Sequence, residues 1–322
     1  MGRGVLEVIK PGLATSVQDL GRTGYQQYGV VVSGAMDAYA LQVGNLLVGN
    51  RRGAAGLEIT LMGPELGILR DTTIAVCGAD LSPTVDGVPI PVWKSVQVKK
   101  GQTLTFGQPR SGVYAYLTVS GGIRVPDVMG SKSTYAKARL GGVKGRYVKK
   151  GDVLKAEDMA DRVKQVGRRG IPPSNVPDYR PSKSIRVVLG PDHELFDLES
   201  IETFLSEAYR VTTQSDRMGY RLSGPKLKHT SGADIISDAI MPGTVQVPAN
   251  GEPIVLMADR QTTGGYSRVA TVTSVDLPYV AQLPPGSKLT FEAVSVEEAH
   301  RLWIERETLL RQLSIAAGVY ER

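Results

Sequence analysis

The sequence predicts a mainly β chain folded as two domains, and three observations carry that expectation. Short runs of β-branched and apolar residues recur throughout, 37 glycines and 19 prolines punctuate them, and a proline-bearing polar stretch divides the chain near its middle. With 322 residues, 41% hydrophobic and 22% charged, the chain can bury a core in each half.

Taken in chain order, the first half offers Val5–Ile9, Leu57–Leu61, Thr73–Cys77, Ser95–Val98, Thr103–Phe106 and Val113–Val119 as strands. The second half offers Ser184–Leu189, Tyr209–Thr213, Thr244–Val247, Ile254–Met257, Arg268–Thr273 and Lys288–Ala293. Short strands with frequent turns are the pattern of antiparallel barrels or sandwiches. Helices are few. One follows Ser33-Gly34-Ala35, where Met36, Ala40, Val43 and Leu47 recur at helical steps, and another runs from about Ile201 to Ala208. The clearest covers about Val296 to Leu313. It sets Ala299, Leu302, Trp303, Leu309, Leu310 and Leu313 on one face and Glu298, Arg301, Glu305, Arg311 and Gln312 on the other. Packing on a barrel is the expected use of the apolar face, docking of a partner the alternative.

Between the halves, Gly170–Lys183 carries Pro172, Pro173, Pro177 and Pro181. Proline lacks a backbone donor and fixes φ, so the stretch reads as an extended linker between domains at 1–180 and 181–322. The halves echo each other: Lys100–Phe106 resembles Pro285–Phe291, and Gly63–Leu66 parallels Gly190–His193, which fits a duplicated barrel.

The formal net charge is +6, and the excess is concentrated between Lys132 and Arg169, where Lys137, Arg139, Lys144, Arg146, Lys149, Lys150, Lys155, Arg162, Lys164 and Arg168 also lie. Aromatic residues are only 6% and do not interleave with them, so a solvated surface or an acidic protein partner is expected and nucleic acid is not. The single cysteine, Cys77, lies in an apolar run and reads as a core residue. No run of about 18 apolar residues and no signal-peptide pattern is present, so a cytoplasmic location is expected.

Familiar chemistries fall away. Gly130-Ser131-Lys132-Ser133 lacks the spacing of a phosphate-binding loop, and no Gly-x-Ser-x-Gly elbow occurs. Ser223-Gly224-Pro225-Lys226 matches Ser-x-x-Lys, but its proline argues for a turn. His193, His229 and His300 are scattered, so no metal site is expected, and no Met-Lys-Met biotin-attachment tripeptide appears.

Four polar, glycine-bearing segments look made for a ligand: Ser16–Tyr25, Ser33–Asp37, Ser215–Arg221 and Asp259–Tyr266. In the last, Gln261, Thr262 and Thr263 offer donors and acceptors suited to a molecule with an amide and a carboxylate. Asp259 is placed to orient a water or accept a proton, and Gly264 and Gly265 allow close backbone approach. A decorated β-turn would share this composition. Asp216-Arg217 and Asp19…Arg22 fit either surface ion pairs or an arginine clamp for carboxylate or phosphate.

At these segments the sequence resembles the KipA family, the biotin-dependent carboxyltransferase-like family of second allophanate-hydrolase-type proteins. The resemblance rests on Lys10-Pro11-Gly12, Val17–Arg22, Ser33–Asp37, Leu46–Asn50, Ser215–Gly219, Val245–Pro248 and Gln261–Tyr266. It implies two cyclophilin-like β-barrel domains with a few helices. It also implies the role of the C-type subunit of 5-oxoprolinase, an enzyme that converts 5-oxoproline, ATP and water to glutamate, ADP and phosphate. The partners implied are a KipI-like B-type subunit and a LamB/YcsF-like A-type subunit. ATP would act in the complex, with no biotin on this chain. Under that reading Asp259 and Asp216 are catalytic, Asp216 orienting Arg217. Gln261, Thr262, Thr263, Arg217, Arg22, Ser33 and Asp37 bind substrate. The resemblance admits two other roles: the carboxyltransferase half of a urea carboxylase-type enzyme, and an antagonist of KipI, itself an inhibitor of a sporulation histidine kinase.

Overall fold

Along Thr72–Asp80 every residue but the last is buried, which demands cover on both faces of the strand. In the computed structural model, which describes residues 3–157, 168–180 and 184–319, that cover comes from a second sheet and a helix. Thr72–Asp80 belongs to a five-stranded sheet ordered Ala14–Gln18, Gly56–Thr60, Ser111–Val119, Thr72–Asp80, Ser95–Val98. A seven-stranded sheet runs Ile123–Arg124, Val153–Ala156, Arg3–Lys10, Glu65–Ile68, Thr103–Thr105, Thr84–Val85, Val88–Pro89. One core takes Val5, Leu66, Leu104 and Leu154 from the second sheet and Val17, Leu57, Val76 and Leu117 from the first.

Helix α1 (Ala38–Leu47) covers the other face of Thr72–Asp80 and Ser111–Val119. Its approach is close: a Cβ at Gly44 would stand 3.0 Å from the Thr118 side chain and 3.6 Å from Cys77 Sγ. Cys77 is fully buried, and burial pushes its thiol well up, as a core cysteine requires.

The chain clusters into two units, one of Met1–Thr23, Ser33–Tyr179 and Thr308–Arg322, the other of Gly24–Val32 and Arg180–Glu307. In contrast to the contiguous halves expected, residues 24–32 join the second unit and the C-terminal segment joins the first. The proline-bearing stretch is not a free spacer. Ile171 and Tyr179 are buried, and the Asn175 carbonyl accepts a 2.8 Å bond from the Tyr39 hydroxyl, so its described part is fastened to the first unit. Residues 181–183 of that stretch, and Arg162 and Lys164 of the basic run, lie outside the described residues.

The second unit is a nearly closed barrel. Its eight strands are ordered Lys288–Leu289, Tyr209–Val211, Gly219–Ser223, Ile254–Leu256, Thr244–Gln246, Arg268–Val272, Ile185–Leu189, Phe291–Ala293. The two edge strands are consecutive in the chain with Thr290 alone between them, so one continuous segment joins both edges. The sequence expectation of a single strand at Lys288–Ala293 is corrected here. The mainly β class holds. Inside, Phe204 of α2 (Leu198–Ser206) stacks on Phe291 at 4.4 Å between ring centroids, and Tyr209 leans on both rings. A short helix α3 (Leu277–Ala281) and an outlying ribbon of Asp234–Ala239 with Thr263–Tyr266 were not expected from sequence.

Helix α4 (Val296–Ala316) forms where the apolar spacing placed it, but burial is confined to Leu310 and Ser314, and Trp303 is 46% exposed. No helix among the described residues is long and apolar enough to cross a membrane.

Two buried ionisable groups give tests of this fold. Asp276 is wholly buried, and Arg186 grips both of its oxygens at 2.8 and 2.6 Å. Replacing Arg186 by Met removes the guanidinium from that buried carboxylate and should cost about 3–5 kcal/mol in a urea titration. His229 lies against Phe196 at 4.6 Å, with Nε2 2.8 Å from Ser267 Oγ and 3.1 Å from the Val247 carbonyl, and burial lowers its affinity for a proton. The unfolded chain therefore takes up that proton first as pH falls. Stability should be intact above about 6.5 and decline below it, and His229→Gln should flatten that decline in thermal melts from about pH 7.5 to 5.

Candidate functional site

The four glycine-bearing segments become two paired clusters, one in each unit. In the first unit the Ser16–Thr23 part of the first segment meets Ser33–Asp37. Ser33 and Gly34 both take positive φ, 59° and 93°, and a Cβ at Gly34 would stand 2.9 Å from the backbone of Leu20 and Gly21. Only glycine fits there. Ala35 N then donates to the Asp19 carbonyl at 2.9 Å, and Ser33 Oγ donates to the Thr134 carbonyl at 3.1 Å.

The polar side chains of this cluster turn inward. Asp19 accepts from the hydroxyls of Ser131 and Ser133 and from the backbone N–H groups of Gly21 and Lys132, at 2.6–2.8 Å. Arg22 is fully buried and donates to the carbonyls of Ser133 and Val128. Gly141 presses on it, since a Cβ there would come within 2.7 Å of Arg22 Nη2. The expectation that Arg22 binds substrate is corrected: a guanidinium sealed beneath backbone carbonyls holds the Val128–Ser133 loop. Asp37 has the same inward fate. It caps α1 by accepting from Ala40 N at 2.9 Å, and its other oxygen accepts from the Tyr179 hydroxyl at 2.6 Å. Beside it, Glu58 accepts from Met36 N at 2.9 Å and from the Tyr116 hydroxyl at 2.7 Å, and burial next to these carboxylates pushes Tyr116 well up. Ser33 and Asp37 therefore shape and cap; both are buried and turned inward.

In the second unit the antiparallel pairing of Gly219–Ser223 with Ile254–Leu256 matches Gly219 to Leu256, so the start of one strand lies beside the end of the other. That register brings Ser215–Met218 against Met257–Gln261. Met257 N donates to the Met218 carbonyl at 3.0 Å and Asp259 N to the Arg217 carbonyl at 2.7 Å. The side chains repeat the tie, with Arg217 Nε and Nη2 on the two oxygens of Asp259 at 3.0 and 2.9 Å. Asp216 Oδ1 accepts from the N–H groups of Met218 and Gly219 at 2.8 and 3.3 Å, an aspartate turn.

These contacts revise the roles. Asp259, 8% exposed with both oxygens on one guanidinium, acts as the anchor of Arg217. Asp216 folds its own turn. Arg217 has its charge met within the unit. Gln261, Thr262 and Thr263 lie beyond the anchor. Thr262 gives its carbonyl to Ile240 N at 3.0 Å, while the hydroxyls of half-buried Thr262 and exposed Thr263 keep no protein partner among the described residues. Gln261 Oε1 is buried without a hydrogen bond. Gly264 serves a neighbour, since a Cβ there would stand 2.5 Å from Gln246 Nε2.

Sequence reasoning missed Arg260. Its side chain is buried, with Nε and Nη1 3.3 Å from the carbonyls of Ile240 and Met257. A signal was present, a basic residue inside the Asp259–Tyr266 segment, but an arginine there reads from sequence as a solvated surface charge. Among the described residues no three histidine, cysteine or acidic side chains group to hold a metal. A cleft of about 1010 Å³ in the first unit, lined by Lys94, Lys99, Arg168 and Arg169, contains none of the expected site residues, nor does a cavity of about 270 Å³ beside Arg221 in the second.

Comparison with known proteins places this geometry. The model of the carboxyltransferase domain, subdomain A and B, matches residues 28–293. Among curated relatives, the C-type subunit of 5-oxoprolinase from Escherichia coli (strain K12) is 39% identical over 310 residues, 96% of this chain and 98% of that protein. Urea amidolyase of Saccharomyces cerevisiae is 35% identical over 96% of this chain but only 18% of its own length. The crystal structure of the K. lactis urea amidolyase superposes with a TM-score of 0.90 at 33% identity, covering 97% of this chain and 20% of that one. By the family match and by near-complete alignment to a free-standing relative, the chain belongs to the family of the carboxyltransferase domain, subdomain A and B.

Proposed function

We propose that the chain is the C-type subunit of an ATP-dependent 5-oxoprolinase, working with a KipI-like protein and a LamB/YcsF-like protein as its B-type and A-type partners. The observation that carries this is the 39% identity with the C-type subunit of 5-oxoprolinase over 96% of this chain and 98% of that protein, above the 35% shared with urea amidolyase. A five-membered lactam is a stable amide. Opening it with ATP consumes two waters, one added across the ring C–N bond that breaks and one whose oxygen ends in the phosphate, and releases glutamate, ADP and phosphate. The protein's task is to orient the ring and to supply hydrogen bonds to the charge that develops on the carbonyl oxygen. The Asp259–Thr263 loop suits that task. The Arg217–Asp259 pair fixes its root, and the Thr262 and Thr263 hydroxyls and Gln261 side-chain oxygen are left for a ligand. ATP enters with the assembled complex, and no biotin is carried here.

The likeness to urea amidolyase supports a second reading, a carboxyltransferase half served by biotin on a separate chain. Product identity separates the two. The purified chain, mixed with the KipI-like and LamB/YcsF-like proteins, ATP and 5-oxoproline, should release glutamate. Thr262→Ala should lower kcat/KM about tenfold, the worth of one hydrogen bond, and Asp259→Ala by more because the root of the loop is lost. Unchanged turnover in both variants would remove the site. Carboxylation of urea without glutamate release would favour the second reading, and unimpaired growth on 5-oxoproline after deletion would favour the KipI-antagonist role.

A further inference from the structure

Three arginines of the second unit have their charge met by aspartate: Arg186 by Asp276, Arg217 by Asp259, and Arg268 by Asp192 and Asp238. Arg260 differs. It is only 7% exposed, and its side chain meets nothing charged among the described residues, only two backbone carbonyls at 3.3 Å, long for bonds from a cation. Burial alone brings it down to about 10, with no acidic neighbour opposing the shift. A buried guanidinium without a counter-charge is unfavourable in the empty protein. It becomes favourable when an anion arrives, because the desolvation has already been met and the donor fork is fixed in place.

The adjoining residue supplies the complement. Gln261 Oε1 is buried and accepts no hydrogen bond. A cation lacking an anion and an acceptor lacking a donor, on consecutive residues, match a small acid that also carries an N–H. We infer that Arg260 binds the carboxylate of such an acid, with Gln261 Oε1 receiving the N–H. This rests on the 5-oxoprolinase reading for the identity of the acid, whose ring nitrogen and carboxylate are attached to the same carbon. Arg260 thereby takes the place that sequence reasoning gave to Arg22 and Arg217.

The test compares wild type with Arg260→Met, which keeps the length of the buried stem, and Arg260→Lys, which keeps the charge without the fork. In the reconstituted complex, Arg260→Met should raise KM for 5-oxoproline about 10–100-fold with a smaller effect on kcat, and Arg260→Lys should recover part of the loss. The isolated Met variant should melt no lower than wild type, since an uncompensated charge has been removed. An unchanged KM beside an active wild-type complex overturns the inference. So does a melting temperature that falls in both variants without a change in KM, which would make Arg260 a structural strut. If the wild-type complex releases no glutamate, the 5-oxoprolinase reading fails by itself, and Arg260 is judged on the isolated chain with 5-oxoproline, 2-pyrrolidinone and inorganic phosphate as probes. Stabilisation by 5-oxoproline but not by the uncharged lactam, lost in Arg260→Met, upholds carboxylate recognition. Stabilisation by phosphate alone, or by none of the three, overturns it.

Discussion

Closure of the second unit's eight-stranded sheet through Thr290 is the constraint on which the candidate site depends. Lys288–Leu289 pairs with Tyr209–Val211 at one edge and Phe291–Ala293 runs parallel to Ile185–Leu189 at the other. Thr290 sits at the changeover, its carbonyl accepting from Ile185 N at 2.8 Å. With both edges held by one segment, strand registers have little freedom to slip. The Gly219–Leu256 register then decides that the turn before one strand and the loop after the other share one end of the barrel. Arg217 reaches Asp259, 42 residues away, because of that register and not because of anything local to either.

Charge burial is the second constraint, and it separates scaffold from site. Where a guanidinium of the second unit is sunk beside an aspartate, the pair ties two segments together. Arg268 does so twice, holding Asp192 after the Ile185–Leu189 strand and Asp238 on the outlying ribbon, at 2.6 and 2.7 Å. The arrangement holds whether or not a ligand is bound, and Arg268 keeps Asp238 below the ordinary carboxylate range. Arg260, sunk beside two carbonyls at 3.3 Å, has no such aspartate beside it among the described residues.

Much of this was legible in the chain. Glycine spacing and short β-branched runs revealed the mainly β class, and three-residue and four-residue apolar steps located α1 and α4. The Asp234–Ala239 strand escaped because its residues lie mostly exposed on both faces, so no alternation marks it. Lys288–Ala293 read as one strand because nothing in its composition announces that its two parts pair at opposite edges. Trp303 and its neighbours read as a buried stripe, yet Trp303 stands nearly half exposed, since periodicity shows which face of a helix is apolar and not whether anything covers it. The four candidate segments stood out as places where polar groups and glycine coincide. Their internal roles did not, because a pairing such as Arg217 with Asp259 is a property of register, which a single sequence does not display.

The difference between the two clusters follows from the same distinction. Around Asp19 and Asp37 each carboxylate is met by donors from its own unit: serine hydroxyls, a tyrosine hydroxyl and backbone N–H groups. These carboxylates would lose bonds to admit a ligand, so they serve to fix loops over a sheet. The Asp259–Thr263 loop divides its groups differently. Its first residue is consumed in an ion pair that fixes the backbone, while the following residues keep a cation without a counter-charge, and an acceptor and hydroxyls without a protein partner among the described residues. Fixing the root while leaving the tip unsatisfied is what a binding loop requires, because affinity depends on groups that are already desolvated and already in place. Aspartate, arginine and glycine occur in both clusters. Composition alone could not have told them apart, and the roles their aspartates take do.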